Sequence, residues 1–144
     1  MTQRTIRMII EGQQPVTAAA ATTVSAAAQL MKQRQVGAIM VVEDGRLVGV
    51  FTERDALFRV VAEKRDGQTT TLAEVMTPHP QTIHPDRSFG NALEMMHNGR
   101  FRNVPVVEDG HLLGIVSVHD ALGEELESFV YELLRQEQIG DVLA

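Results

Sequence analysis

The sequence predicts an α+β fold: two β-α-β-β-α repeats in a pseudo-two-fold pair, followed by a C-terminal helical extension. Three observations predict it. The 144-residue chain matches itself at an offset of 65 residues, so that VVEDGRLVGVFTERDAL (Val41 to Leu57) lies over VVEDGHLLGIVSVHDAL (Val106 to Leu122). Each copy carries Glu-Asp-Gly between two apolar, β-rich runs. Asp-Gly in that setting is a strong hairpin signal, because Gly adopts positive φ at little cost. Each copy also has helix-period apolar positions before the hairpin and a polar helix start after it. A fixed internal period concerns the whole fold, and only two copies point to a paired module rather than a solenoid.

The elements follow in order. The lead-ins TIRMIIEGQQPVTA and LAEVMTPHPQTIHP each read as a short helix or strand, a turn, and an extended segment ending in Thr17 or Thr82. VSAAAQLMKQRQ, capped by Thr23, places Val24, Ala27, Ala28, Leu30 and Met31 on a helical period. SFGNALEMMHNG does the same with Phe89, Ala92, Leu93 and Met96, with Ser88 as cap and Gly99 as stop. The hairpins follow, and a second helix is expected to start at each Thr/Ser-x-x-Asp: Thr52 to Asp55 and Ser117 to Asp120. The boundaries are repeat 1 over 5–66, a polar linker over 67–71, repeat 2 over 72–134 and the helical extension over 124–144. In the extension, Leu126, Phe129, Val130, Leu133 and Leu134 form an apolar stripe suited to its own module or to a second copy.

Composition narrows the function. Apolar residues are 44% of the chain and aromatics only 4%, so the core is built from Val, Leu, Ile, Ala and Met, with the seven Met filling gaps. The absence of Cys excludes disulfides and thiolate metal sites and favours a cytoplasmic setting. No apolar run approaches the ~18 residues of a membrane span, and MTQRTIRMII is too short and polar for a signal peptide. A net charge of −6 argues against nucleic-acid binding, yet leaves room for a small anion held by local positive charge. The five His show no metal-ligand spacing. Ser117, His119 and Asp120 are too close in sequence to form a hydrolytic relay, and no catalytic residue is assigned.

The doubled Thr/Ser-x-x-Asp carries the chemistry. A strand ending in Thr52 or Ser117 and opening into a helix offers a hydroxyl and backbone N–H groups to an anion. Asp55 and Asp120, in the first turn, suit a ribose diol. Arg54 and His119 stand one residue before them, and Arg102 offers a guanidinium for bidentate phosphate contact. The same phrase also satisfies a plain helix N-cap, and both readings stay open.

The segments VMTPHPQTI, VGAIMVVEDGRLVGVFTERD and FRNVPVVEDGHLLGIVSVHD resemble the CBS-domain family, in the tandem form called a Bateman module. The resemblance runs from about Thr5 to about Leu134. It implies a regulatory sensor, not an enzyme, binding an adenine nucleotide or adenosyl ligand: AMP, ADP, ATP, NAD or S-adenosylmethionine. No cofactor is required. It implies sugar and phosphate contacts from Thr52, Arg54, Asp55, Ser117, His119 and Asp120. It implies base or sugar contacts from Thr17 and Thr82. A base pocket would come from Val36, Gly37 and Ala38 in one copy and from Phe101, Arg102 and Asn103 in the other. Gly37 stands where Arg102 stands, so two inequivalent clefts are expected. A homodimer and an unidentified protein partner are also implied. The alternative is a non-catalytic interaction scaffold with vestigial clefts.

Overall fold

The computed structural model describes residues 4–143, the side chains of Glu124 and 137–143 excepted. Repeat 1 comprises α1 (Ile6–Ile10), β1 (Thr17–Ala18), α2 (Val24–Arg34), β2 (Ala38–Glu43), β3 (Arg46–Thr52) and α3 (Glu53–Asp55), which winds into a π-helical segment over Ala56–Val61. Repeat 2 comprises α4 (Leu72–Val75), β4 (Thr77–Pro78), α5 (Phe89–Gly99), β5 (Asn103–Glu108), β6 (His111–Ser117) and a 3₁₀ turn over Val118–Asp120, followed by α6 (Gly123–Leu143).

Both hairpins turn at Asp-Gly, with φ of 53° and 79° at Asp44 and Gly45 and of 53° and 82° at Asp109 and Gly110. Two successive positive φ values suit the right-handed twist of the flanking strands. The strands join in the order β1-β2-β3-β6-β5, with β4 also on β3. Between the hairpins, Arg46 pairs with His111, and Leu47 N–H donates to the Gly110 carbonyl as Leu112 N–H donates to that of Gly45. These reciprocal bonds mark the pseudo-two-fold axis.

Each repeat has its own core, and each core borrows from the other lead-in. Ile6 and Ile10 of α1 are buried with Phe89, Leu93, Val104 and Val116 of repeat 2. Leu72 and Val75 of α4 are buried with Ala27, Ile39, Val41 and Phe51 of repeat 1. A third cluster of Ala38, Met40 and Val50, with Leu112 and Ile115 against it, joins the repeats. The repeats are thus intertwined. The docking bonds also show a one-residue slip in the lead-ins. Ile6 N–H donates to the Arg87 carbonyl and Leu72 N–H to that of Thr22, which matches residue 6 with 72 rather than 71.

Glycines permit the close crossing. A Cβ on Gly114 would lie 2.8 Å from Ile10 Cβ and 2.9 Å from Gln13 Oε1, and one on Gly49 would run into the Met76 side chain. Thr23 and Ser88 cap α2 and α5 by accepting N–H bonds from Ala26 and Asn91. Gly99 is not the left-handed stop. That conformation falls on Arg100 (φ 57°), while Gly99 leaves room for the Phe101 ring.

Two further expectations are modified. The first strand of repeat 2 shrinks to a single bridge, Ile83 to Val106, in a segment flanked by Pro80 and Pro85, which lack the N–H a longer ladder needs. The helix after Ser117 is interrupted at Ala121 (φ −70°, ψ 134°), so α6 starts afresh at Gly123. The restart is held locally: Leu122 N–H donates to Glu125 Oε1. Farther along α6, the Phe129 ring meets His97 of α5 edge-on at 5.9 Å.

Candidate functional site

The hairpins assemble two matching corners. Ala38 pairs with Thr52 and Asn103 with Ser117, so the first residues of β2 and β5 lie beside the last residues of β3 and β6. The Gly37 carbonyl accepts the Glu53 N–H at 3.1 Å, and the Arg102 carbonyl accepts the Val118 N–H at 3.2 Å. Residues 65 positions apart thus make the same contact. Gly37 has a steric reason as well, since a Cβ there would strike the Glu53 carboxylate.

Both corners are capping boxes. Asp55 Oδ2 accepts from the Thr52 N–H at 3.0 Å, and Thr52 Oγ1 accepts from the Asp55 N–H at 3.2 Å. Asp120 Oδ2 accepts from the Ser117 N–H at 2.7 Å, and Ser117 Oγ accepts from the His119 N–H at 3.2 Å. The N-cap is therefore real in both copies and uses one oxygen of each carboxylate, leaving Oδ1 to be accounted for.

The second oxygen separates the copies. Asp55 is 6% exposed. Its Oδ1 accepts a hydrogen bond from Thr77 Oγ1 at 3.2 Å and lies 3.6 Å from Arg59 Nε. Arg59 also donates to the Met76 carbonyl at 2.8 Å, tying the helix to the crossing lead-in. Asp120 is only partly buried, and among the described residues its Oδ1 has no hydrogen-bond partner. The nearby guanidinium of Arg4 donates instead to the Asp120 backbone carbonyl at 2.7 Å and to Glu125 Oε1 at 2.6 Å.

The other expected residues divide. Arg102 is exposed, its backbone carbonyl belongs to the Ser117 corner, and among the described residues its side chain has no hydrogen-bond or ion-pair partner. His119 is exposed as well. Arg54 lies over the Phe58 ring at 5.3 Å on the exposed side of its helix. Val36 and Phe101 are partly buried against the two cores. Thr17 lies on β1 and Thr82 in the irregular segment next to the Ile83 bridge; both are exposed and are separated from the corners by β2 and β5. Thr82 lines an open groove of about 620 Å³ between its segment and α5, together with His84, Arg87, Asn91 and Glu94.

Sequence reasoning missed Thr77, Arg59 and Arg4. Arg59 had a signal, since it stands four residues after Asp55, one helical turn on. Thr77 and Arg4 had none, because each reaches its partner across the crossing of the repeats. Two titrating groups beside the Asp120 corner are shifted. The hydrogen bond from Arg4 holds the Glu125 carboxyl below the usual 4.5, helped by the Leu122 N–H and opposed by burial. The same bond raises Arg4.

The model of the CBS domain matches residues 10–62 and again 72–127. The chain belongs to the CBS-domain family. It is 43% identical over 98 residues to the CBS domain-containing protein YhcV of Bacillus subtilis, covering 68% of this chain and 69% of that one. Some relatives are much longer: the match spans 18% of the length of CBSCBSPB5 from Arabidopsis thaliana. Among solved structures, the CBS domain protein PAE2072 from Pyrobaculum aerophilum, complexed with AMP, superposes with a TM-score of 0.79 at 23% identity, covering 89% of this chain and 99% of that one. That likeness shows the fold. The CBS domain pair of MJ0100, in complex with 5′-methylthioadenosine and S-adenosyl-L-methionine, gives a TM-score of 0.73 at 26% identity, covering 83% and 93%. The tandem CBS pair with a C-terminal helix is thus the architecture of the chain. Among the described residues no helix is long and apolar enough to cross a membrane, and no group of three His, Asp or Glu is placed to hold a metal ion.

Proposed function

We propose that this CBS pair is a regulatory module that binds an adenine nucleotide or adenosyl ligand at the corner formed by Ser117, Asp120 and Arg102. One observation carries the reading: at the start of a helical turn whose Val118 N–H is held by the Arg102 carbonyl, a partly exposed aspartate keeps an oxygen that has no hydrogen-bond partner among the described residues. A carboxylate oxygen accepts from a ribose hydroxyl, and a guanidinium suits phosphate or carboxylate. Support comes from MJ0100, a relative in fold and sequence that holds adenosyl compounds. Binding would regulate only through unequal affinity for two states of the module. The test is a thermal-shift screen with AMP, ADP, ATP, NAD and S-adenosylmethionine on the wild type and Arg102→Gln. At least one compound should raise the melting temperature, less so in the variant. No shift with any compound rejects the reading.

A second reading, an interaction scaffold, is favoured by one specific feature. Leu126, Val130, Tyr131 and Leu134 are exposed along α6, and Leu57, Phe58 and Val61 along the helix after Thr52. Exposed apolar stripes of this kind mark contact surfaces, and a second copy of the chain is the partner we propose. Light scattering on the full chain and on a chain lacking 124–144 separates the readings. A dimer that becomes a monomer on truncation, with no nucleotide bound by the full chain, favours the scaffold.

A further inference from the structure

We infer that Thr77 occupies the Asp55 carboxylate as a built-in substitute for a ligand hydroxyl, so that only the Asp120 half of the module is open to a ribose-bearing ligand. This rests on the reading above and fixes its stoichiometry at one ligand per chain.

Four observations converge. The Thr77 hydroxyl donates to Asp55 Oδ1, the oxygen that the capping box leaves over. The carboxylate is sealed from water at 6% exposure, with Arg59 Nε 3.6 Å away on another side. The lead-in that carries Thr77 is fastened down: Arg59 donates to the carbonyls of Val75 and Met76, Val50 pairs with Thr77, and the Met76 side chain crosses Gly49. Among the described residues, no side chain donates to Asp120 Oδ1. In the register set by the docking bonds, the counterpart of Thr77 is Glu11, which is exposed and, when ionised, has no proton to donate.

The chemistry is competitive. A carboxylate oxygen already bonded inside a dry site gains little from a second hydroxyl, and that hydroxyl would first have to displace Thr77 and the segment pinned with it. Thr77 therefore decides which of two nearly identical corners is available.

The experiment has two parts. In the ligand-free chain, a double-mutant cycle of Thr77→Val and Asp55→Asn is read by chemical denaturation, with Thr77→Ser as the conservative control. The two losses should be clearly non-additive, and Thr77→Ser should behave as wild type. Calorimetric titration with AMP and with S-adenosylmethionine then counts sites. The wild type should bind one equivalent of the active probe. Asp120→Ala should remove it, Asp55→Ala should leave it, and Thr77→Val should admit a second equivalent that Thr77→Ser does not. Two equivalents on the wild type, or loss of the single site in Asp55→Ala but not Asp120→Ala, overturns the inference while the ligand reading stands. If neither probe binds any variant and none of the five compounds shifts the wild type, the ligand reading fails, and additive losses in the ligand-free cycle overturn the Thr77 assignment separately.

Discussion

Arg4 Nη2 lies 2.6 Å from Glu125 Oε1, joining the residue ahead of the first helix to the first turn of the last one. The same guanidinium accommodates the Asp120 carbonyl and lies 5.6 Å from the centre of the Phe89 ring. It therefore bridges the break in repeat 2 where the helix after Ser117 stops and α6 begins. The side chains are 30% and 21% exposed, between a surface pair and a buried one. Arg4→Ala should lower stability by about 1 kcal/mol, measured by urea denaturation, and should loosen α6, measured by hydrogen exchange over 123–136. Unchanged exchange there would show that α6 is held without Arg4.

The pair also sets a pH dependence. Glu125 titrates below the usual 4.5 in the folded chain. A carboxyl with a lowered folded value contributes stability that is fully present above 4.5 and lost as pH falls through the folded value. The melting-temperature gap between the wild type and Glu125→Gln should therefore be constant near neutrality and narrow below pH 4.5. A gap that widens on acidification would contradict the contact.

The crossing of the repeats depends on two glycines. Gly114→Ala would bring a methyl group within 2.8 Å of Ile10 Cβ, against the helix that repeat 2 borrows. Overpacking of this kind costs about 1–3 kcal/mol, and denaturation of the variant measures it. A neutral result would mean that α1 can shift outward freely.

Each core contains one phenylalanine among its fully buried side chains, in opposite places. Phe51 lies on β3 of repeat 1, where repeat 2 has Val116; Phe89 opens α5 of repeat 2, where repeat 1 has Val24. Volume is thus conserved between the copies although the positions differ. Phe51→Val should cost about 2–3 kcal/mol through the space it leaves. Adding Val24→Phe, which copies the arrangement of repeat 2, should restore part of the loss. No recovery would show that the two positions do not share space.

Much of this fold was legible in the residues, because the signals were local and repeated. Asp44-Gly45 and Asp109-Gly110 announced hairpins through their own φ requirements, and Thr23 and Ser88 announced helix starts through their hydroxyls. The corners were legible too, as Thr/Ser-x-x-Asp holds its geometry within one turn. What escaped was relational. That Ile6 belongs to the core of repeat 2 and Leu72 to that of repeat 1 depends on which way the lead-ins cross, which no local pattern in either lead-in records. Thr77 lies 22 residues from Asp55, so nothing in its neighbourhood marks it as a donor to that carboxylate. The break at Ala121 was hidden for a similar reason: Ala-Leu-Gly reads as helix until Arg4 and Glu125 are seen to hold the start of a new one.

The ligand corner is the central claim, and calorimetric titration of S-adenosylmethionine and AMP into the wild type and Asp120→Ala tests it most directly. Saturable heat with at least one of them, reduced at least tenfold in affinity by Asp120→Ala, is the predicted result; equal binding by both proteins, or no heat with the wild type at any concentration, would contradict it.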